Sequence, residues 1–158
     1  MSPTRFAKVN RIHDGVKLDQ EELALKWIEA YNAHDFAQQA ALMTEDGEVM
    51  IPAMNIVQGP AWDQTGQSSA RLVDDRTIEV LRMISSGDAV AIEMLWHGTS
   101  KGGPGMAPAG ERVELQNCIV LTFRDSLISR YVEYIGWCQG IDLHVVRSRI
   151  LESGRPTG

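Results

Sequence analysis

The sequence predicts a single α+β domain: a bent antiparallel sheet with helices on its concave side. Two observations lead there. The apolar residues follow a helical period through the first part of the chain and a period of two from about Thr77 onward. The period-two part then holds four long strands in succession, with no helix between them. A chain of 158 residues, 44% apolar and 23% charged, suits one globular domain of ordinary size. We divide it into an N-terminal arm (1–18), the domain proper (19–150) and a frayed tail (151–158).

The arm is polar with scattered apolar positions, and is expected to drape over the domain or a partner subunit. The first helix follows in LDQEELALKWIEAYNAHD. Asp19 is the expected N-cap, Glu21 and Glu22 suit the positive end of the helix dipole, and Leu23, Trp27 and Tyr31 recur on one face. Asn32, His34 and Asp35 interrupt it, and Asp35 is placed to cap a second short helix, FAQQAALM. EVMIP reads as a short strand ending at Pro52. Gly59-Pro60 opens a weaker helical stretch, AWDQTGQSSARLV. The four strands are TIEVLRMIS, DAVAIEMLWHGTS, RVELQNCIVLTF and LISRYVEYIGW, and GIDLHVVRSRIL closes the domain as a helix.

A net charge of −6 argues against nucleic-acid binding, which needs clustered cations to neutralise phosphate. The N-terminal segment lacks the apolar run of a signal peptide, and no window approaches a membrane span. Cys118 and Cys138 are the only cysteines and do not form a CxxC pair, which points to free thiols in a reducing, cytoplasmic setting.

The strand patterns locate a candidate site. In RVELQNCIVLTF the column Val113, Leu115, Ile119, Leu121, Phe123 is apolar and therefore faces inward; Asn117 is its one exception. In YVEYIGW the exception is Glu133, a carboxylate among residues that read as a buried strand. A three-residue hairpin loop, Arg124-Asp125-Ser126, pairs Phe123 with Leu127 and brings Asn117 opposite Glu133. A two-residue loop opposes Glu133 to Cys118 and turns one strand's apolar column outward, so the first register is expected. Val90, Ile92, Met94 and Trp96 line the same interior, with Glu93 and His97 pointing away. The result is an apolar chamber with one carboxylate in its wall.

With these pieces in order, the chain resembles the NTF2-like superfamily and, within it, the SnoaL-like polyketide cyclase group. The matching segments are AYNAHDFAQQAALMTEDGEVMIP, VAIEMLWHGTSKGG with PAGERVELQNCIVLTFRD, and LISRYVEYIG. The resemblance implies a cone-shaped fold, commonly homodimeric, with a deep hydrophobic pocket and an acid/base carboxylate on the last strand, where this chain has Glu133. Related limonene-epoxide hydrolases add an Arg-x-Asp pair where this chain has Met94 and Trp96. Ketosteroid isomerases carry their base where this chain has Ile51. Neither set is present.

A carboxylate in an apolar pocket is pushed toward neutrality, which suits a general acid or base. Tyr131 and Asn117 are the candidates to polarise a carbonyl oxygen or to orient Glu133. Trp27, Trp62, Met94, Trp96, Ile119 and Ile135 are the candidate substrate-lining residues, although large inward-facing residues are usually core and at least half of the larger four are expected there. The bland alternative is a Glu133 that only satisfies Asn117, Tyr131 or a water. His13, His34, His97 and His144 show no metal-ligand spacing, and His97 lies roughly 13 Å along its strand from Glu93. No metal and no cofactor is expected. The Gly102–Gly110 stretch lacks the ending of a phosphate loop and reads as a hairpin loop or lid. Asp74-Asp75 reads as a solvated turn. The expected function is a cofactor-independent cyclisation or isomerisation of a hydrophobic carbonyl compound. The alternatives are epoxide opening and a non-catalytic binding module.

Overall fold

The computed structural model of the chain describes residues 10–14, 18–60 and 72–153. Within these, β1 (Asn10–Asp14) is followed by α1 (Leu18–Asn32), α2 (Phe36–Ala41), β2 (Met43–Ile51), a 3-10 turn (Pro52–Met54) and β3 (Ile56–Gln58). Then come β4 (Thr77–Ser86), β5 (Ala89–Thr99), β6 (Arg112–Arg124), β7 (Leu127–Gln139) and α3 (Leu143–Ser153). The strands form one seven-stranded sheet in the order β1-β4-β5-β6-β7-β2-β3. Its centre, β4 to β7, is antiparallel as expected, but β1 joins β4 and β2 joins β7 in parallel. Part of the presumed arm is therefore a sheet strand. Most of the helical stretch expected after Pro60, Trp62 included, lies outside the described residues.

Period-two patterning decides which face is covered. Val113, Leu115, Asn117, Ile119, Leu121 and Phe123 of β6 are all buried, as are Val90, Ile92, Met94 and Trp96 of β5. Against them lies the apolar face of α1, where Ala24, Trp27, Ile28 and Tyr31 are buried. The Trp27 ring sits 5.0 Å from that of Tyr131 on β7, joining helix and sheet. A side chain of this size contributes on the order of 3–5 kcal/mol at such a site.

The helix ends correct one expectation and meet another. α1 begins at Leu18, so Asp19 lies in its first turn instead of capping it. Asp35 does cap α2, accepting a hydrogen bond from the Gln38 amide at 3.0 Å. Between the helices Asn32 turns its side chain to β4, donating to the Ile78 carbonyl at 2.9 Å and accepting from the Ile78 amide at 2.7 Å. One amide side chain thus stands in for a neighbouring strand. α3 starts after Asp142, whose carboxylate accepts from the amides of His144 and Val145.

A short segment, 72–76, crosses β5 at Gly98. A Cβ there would lie 2.2 Å from Val73 Cγ1, so only glycine admits the crossing. Thr99 then holds the segment through its amide and hydroxyl, which donate to Asp75 at 2.8 and 2.7 Å. These bonds hold the Asp75 carboxyl below the ordinary aspartate range. The Asp74-Asp75 pair is therefore more than a solvated turn: Asp75 is a clamp and Asp74 pairs with Lys101 at 2.9 Å.

Candidate active site

The β6–β7 hairpin sets the site, and its register differs from the expected one. The loop has two residues, Asp125 and Ser126, at φ 52° and 62°, and Arg124 pairs with Leu127. Beyond Phe123–Ile128 the pairing shifts by one residue at Ser129, so that Leu121 faces Tyr131, Ile119 faces Glu133 and Asn117 faces Ile135. The bulge restores the parity that a two-residue loop alone destroys. Both inward columns therefore stay inward, and Asn117 becomes the diagonal neighbour of Glu133 instead of its direct partner. Diagonal residues on one face lie within reach of long side chains such as glutamate, and Asn117 Nδ2 donates to Glu133 Oε1 at 3.0 Å. An amide suits either protonation state of its neighbour: it donates to a carboxylate and, turned over, accepts from the acid.

While Tyr134 and Trp137 on the outer face of β7 are exposed, Glu133 is half-buried, not sealed in. Its carboxylate opens on a cleft bounded by Tyr131 and Ile135 of its own strand, Tyr31 of α1, Trp96 of β5, Leu115 of β6 and Ile78 of β4. Ile51, Met54 and Ile56, around the 3-10 turn, complete the wall. The enclosed volume is about 40 Å³, against roughly 10–15 Å³ for one water. As it stands the cleft admits the reacting end of a molecule or a few waters. A second cavity of about 30 Å³ lies beyond Met54, Trp96 and Leu115, beneath α3, with only apolar side chains around it, Met106 of the Gly102–Gly110 loop among them.

Of the expected site residues, Glu133, Tyr131, Trp96 and Ile135 line the cleft, and Asn117 lies buried behind Glu133. Trp27, Met94 and Ile119 do not line it. They are core residues, each 1% exposed or less, packed between α1 and the sheet. Trp62 lies outside the described residues. Sequence reasoning missed Tyr31, Leu115 and the Ile51–Ile56 wall. Tyr31 had been read only as a member of the α1 apolar face.

Tyr31 is held at the cleft by two donors. Its hydroxyl oxygen accepts from Trp96 Nε1 at 2.7 Å and from Arg76 Nε at 3.1 Å. The Arg76 guanidinium is 1% exposed and lies 4.9 Å over the Tyr31 ring and 5.5 Å over that of Phe36.

Other chemistry is poorly provided for. Burial pushes both thiols up, and the Glu93 charge adds to this at Cys118, so neither cysteine is a ready nucleophile. Both are free. Glu93 itself pairs with Arg82 at 2.6 Å on the outer face. Among the described residues no three His, Cys, Asp or Glu side chains gather as metal ligands, and no helix is long and apolar enough to cross a membrane.

Comparison with known proteins agrees with the fold. The profile of the SnoaL-like domain matches residues 24–131. Among solved structures, AclR, a proposed hydroxylase from Streptomyces galilaeus, is 17% identical with a TM-score of 0.64, covering 87% of this chain and 87% of its own. IdmH, a proposed polyketide cyclase from Streptomyces antibioticus, is 21% identical at a TM-score of 0.65, over 73% of this chain and 91% of its own. A proposed ketosteroid isomerase from Kribbella flavida is 20% identical at 0.60, over 78% and 82%. At these identities the likeness concerns the fold, an NTF2-like cone. No curated protein sequence matches the chain.

Proposed function

Because the chain belongs to the SnoaL-like domain family, matched over residues 24–131, we propose that it is a cofactor-independent enzyme of the cyclase or isomerase type. It moves a proton next to a carbonyl group of a hydrophobic small molecule. The observation that carries this reading is Glu133, a carboxylate facing an apolar cleft and oriented by Asn117 at 3.0 Å. Polyketide-like substrates fit the apolar walls and the second cavity, which offers room for an apolar extension once Met54, a flexible side chain, moves aside.

Glu133 takes the proton from the carbon beside the carbonyl, and hydrogen-bond donors on the cleft wall stabilise the oxygen as charge develops on it. The resulting enol closes a ring by attacking a second carbonyl, or is reprotonated elsewhere as an isomer. Epoxide opening is less well supported, since Met94 is core and Trp96 is bound to Tyr31. A binding module without turnover is the second reading, favoured by the small volume of the cleft. A homodimer through the outer sheet face is part of the proposal, supported by exposed Tyr134 and Trp137. The free thiols support a reducing, cytoplasmic setting.

The test is exchange of ketone α-protons in heavy water, followed by NMR with cyclohexanone and β-tetralone as probes. Enzyme-dependent exchange is expected with the wild type. Binding of both probes without exchange favours the binding module.

A further inference from the structure

Arg76 poses a question that the proposed chemistry does not answer. A guanidinium 1% exposed is costly to bury unless an anion faces it. Among the described residues it makes no ion pair, and its buried Nη2 has no hydrogen-bond partner. Its Nε is spent on Tyr31 and its π-face contacts are the rings of Tyr31 and Phe36. His34, on the connection from α1 to α2, approaches only the Arg76 backbone carbonyl, at 3.3 Å.

Tyr31, in turn, accepts two N–H bonds on one phenol oxygen, one from a cation and one from the Trp96 indole. Donors to an oxygen favour its negatively charged form. Tyr31 also borders the same cleft as Glu133. We propose that Tyr31 is a second catalytic residue, the proton donor to the substrate oxygen, and that Arg76 is its positioning residue, a permanent cation for the phenolate left behind. The proposal rests on the carbonyl chemistry inferred above.

The step balances without any further reactant. The Glu133 carboxylate removes the α-proton as the Tyr31 O–H bond breaks and its proton passes to the carbonyl oxygen. This leaves an enol, a protonated Glu133 and a phenolate facing Arg76. On ring closure the enol carbon attacks a second carbonyl, Glu133 returns its proton to the new alkoxide, and the phenolate recovers the enol proton. Opposed influences act on the Tyr31 oxygen: Arg76 favours the phenolate, while burial, and an ionised Glu133 on the same cleft, disfavour it.

Two readouts test this. The chain has three tyrosines, Tyr31, Tyr131 and Tyr134, so phenolate absorbance against pH resolves them by substitution. Tyr31→Phe is expected to remove the first of the three ionisation steps, and Arg76→Gln to move that step to higher pH. Should Arg76→Gln fail to fold, Trp96→Phe removes the other donor and is expected to move the step the same way. With β-tetralone, Tyr31→Phe is expected to slow α-proton exchange on the order of 100-fold while probe affinity holds. The proposal is overturned if Tyr31 ionises last, as burial alone dictates, or if its step ignores both donor variants. A wild type that exchanges no ketone proton refutes the carbonyl chemistry, and with it the catalytic role of Tyr31. The titration then still decides whether Arg76 and Trp96 stabilise its phenolate.

Discussion

Among the described residues, the carboxylates of Glu21 and Glu133 both turn toward the interior, and they differ in what lies beyond them. Glu21 of α1 is 1% exposed and accepts from the Ser85 hydroxyl at 2.6 Å, at the far end of β4 from the cleft. Glu133 of β7 accepts from Asn117 at 3.0 Å but borders open space. Each has a neutral donor as partner. The hydrogen bond to a neutral donor therefore does not distinguish the two; access to a cleft does.

The largest expected effect is on turnover. Glu133→Gln keeps an acceptor for Asn117 and loses the base, so ketone exchange falls by about 10²–10⁴ while stability changes by less than about 0.5 kcal/mol. Glu21→Leu does the reverse. It leaves Ser85 buried without that acceptor and costs about 1–3 kcal/mol, read from urea unfolding, with exchange rates unchanged. The partners sharpen the contrast at lower amplitude. Asn117→Ala removes the bond that orients the Glu133 carboxylate and slows exchange about 10-fold, whereas Ser85→Ala removes roughly 1 kcal/mol of stability and no activity.

A third carboxylate gives the smallest effect, and it is one of pH. Thr99 holds the Asp75 carboxyl below its ordinary value of 3.8. A depressed folded value stabilises the fold above the unfolded value and loses that contribution as pH falls through the folded one. Unfolding free energy is therefore expected to drop below about pH 4 through Asp75, and Asp75→Asn to flatten that part of the curve. The group is exposed, so solvent screens much of the gain.

Much of this was legible in the chain because period two is a strong signal. The inward columns of β5 and β6, the contact between the polar exceptions Asn117 and Glu133, and the Asp35 cap all follow from local pattern. The register did not, because it rests on a bulge at Ser129 that leaves no local mark, and Asp125 and Ser126 take left-handed conformations that favour glycine. Parity survived the error, which is why the right residues still met. The division between lining and core was also hidden: Trp27, Met94 and Ile119 share faces with true lining residues and differ only in depth. Tyr31 was invisible as chemistry, since its partners Arg76 and Trp96 are 45 and 65 residues away. Asp75 was misread for the same reason, its partner Thr99 being 24 residues on.

The most direct measurement of the central claim sets probe affinity beside exchange in one pair of proteins. Wild type and Glu133→Gln are titrated with β-tetralone by calorimetry, and α-proton exchange of the same ketone is followed by NMR. The account predicts affinities within about threefold of each other, under 1 kcal/mol, and exchange slower in Glu133→Gln by about 10²–10⁴. Exchange undiminished in Glu133→Gln, or affinity and exchange lost together, contradicts it.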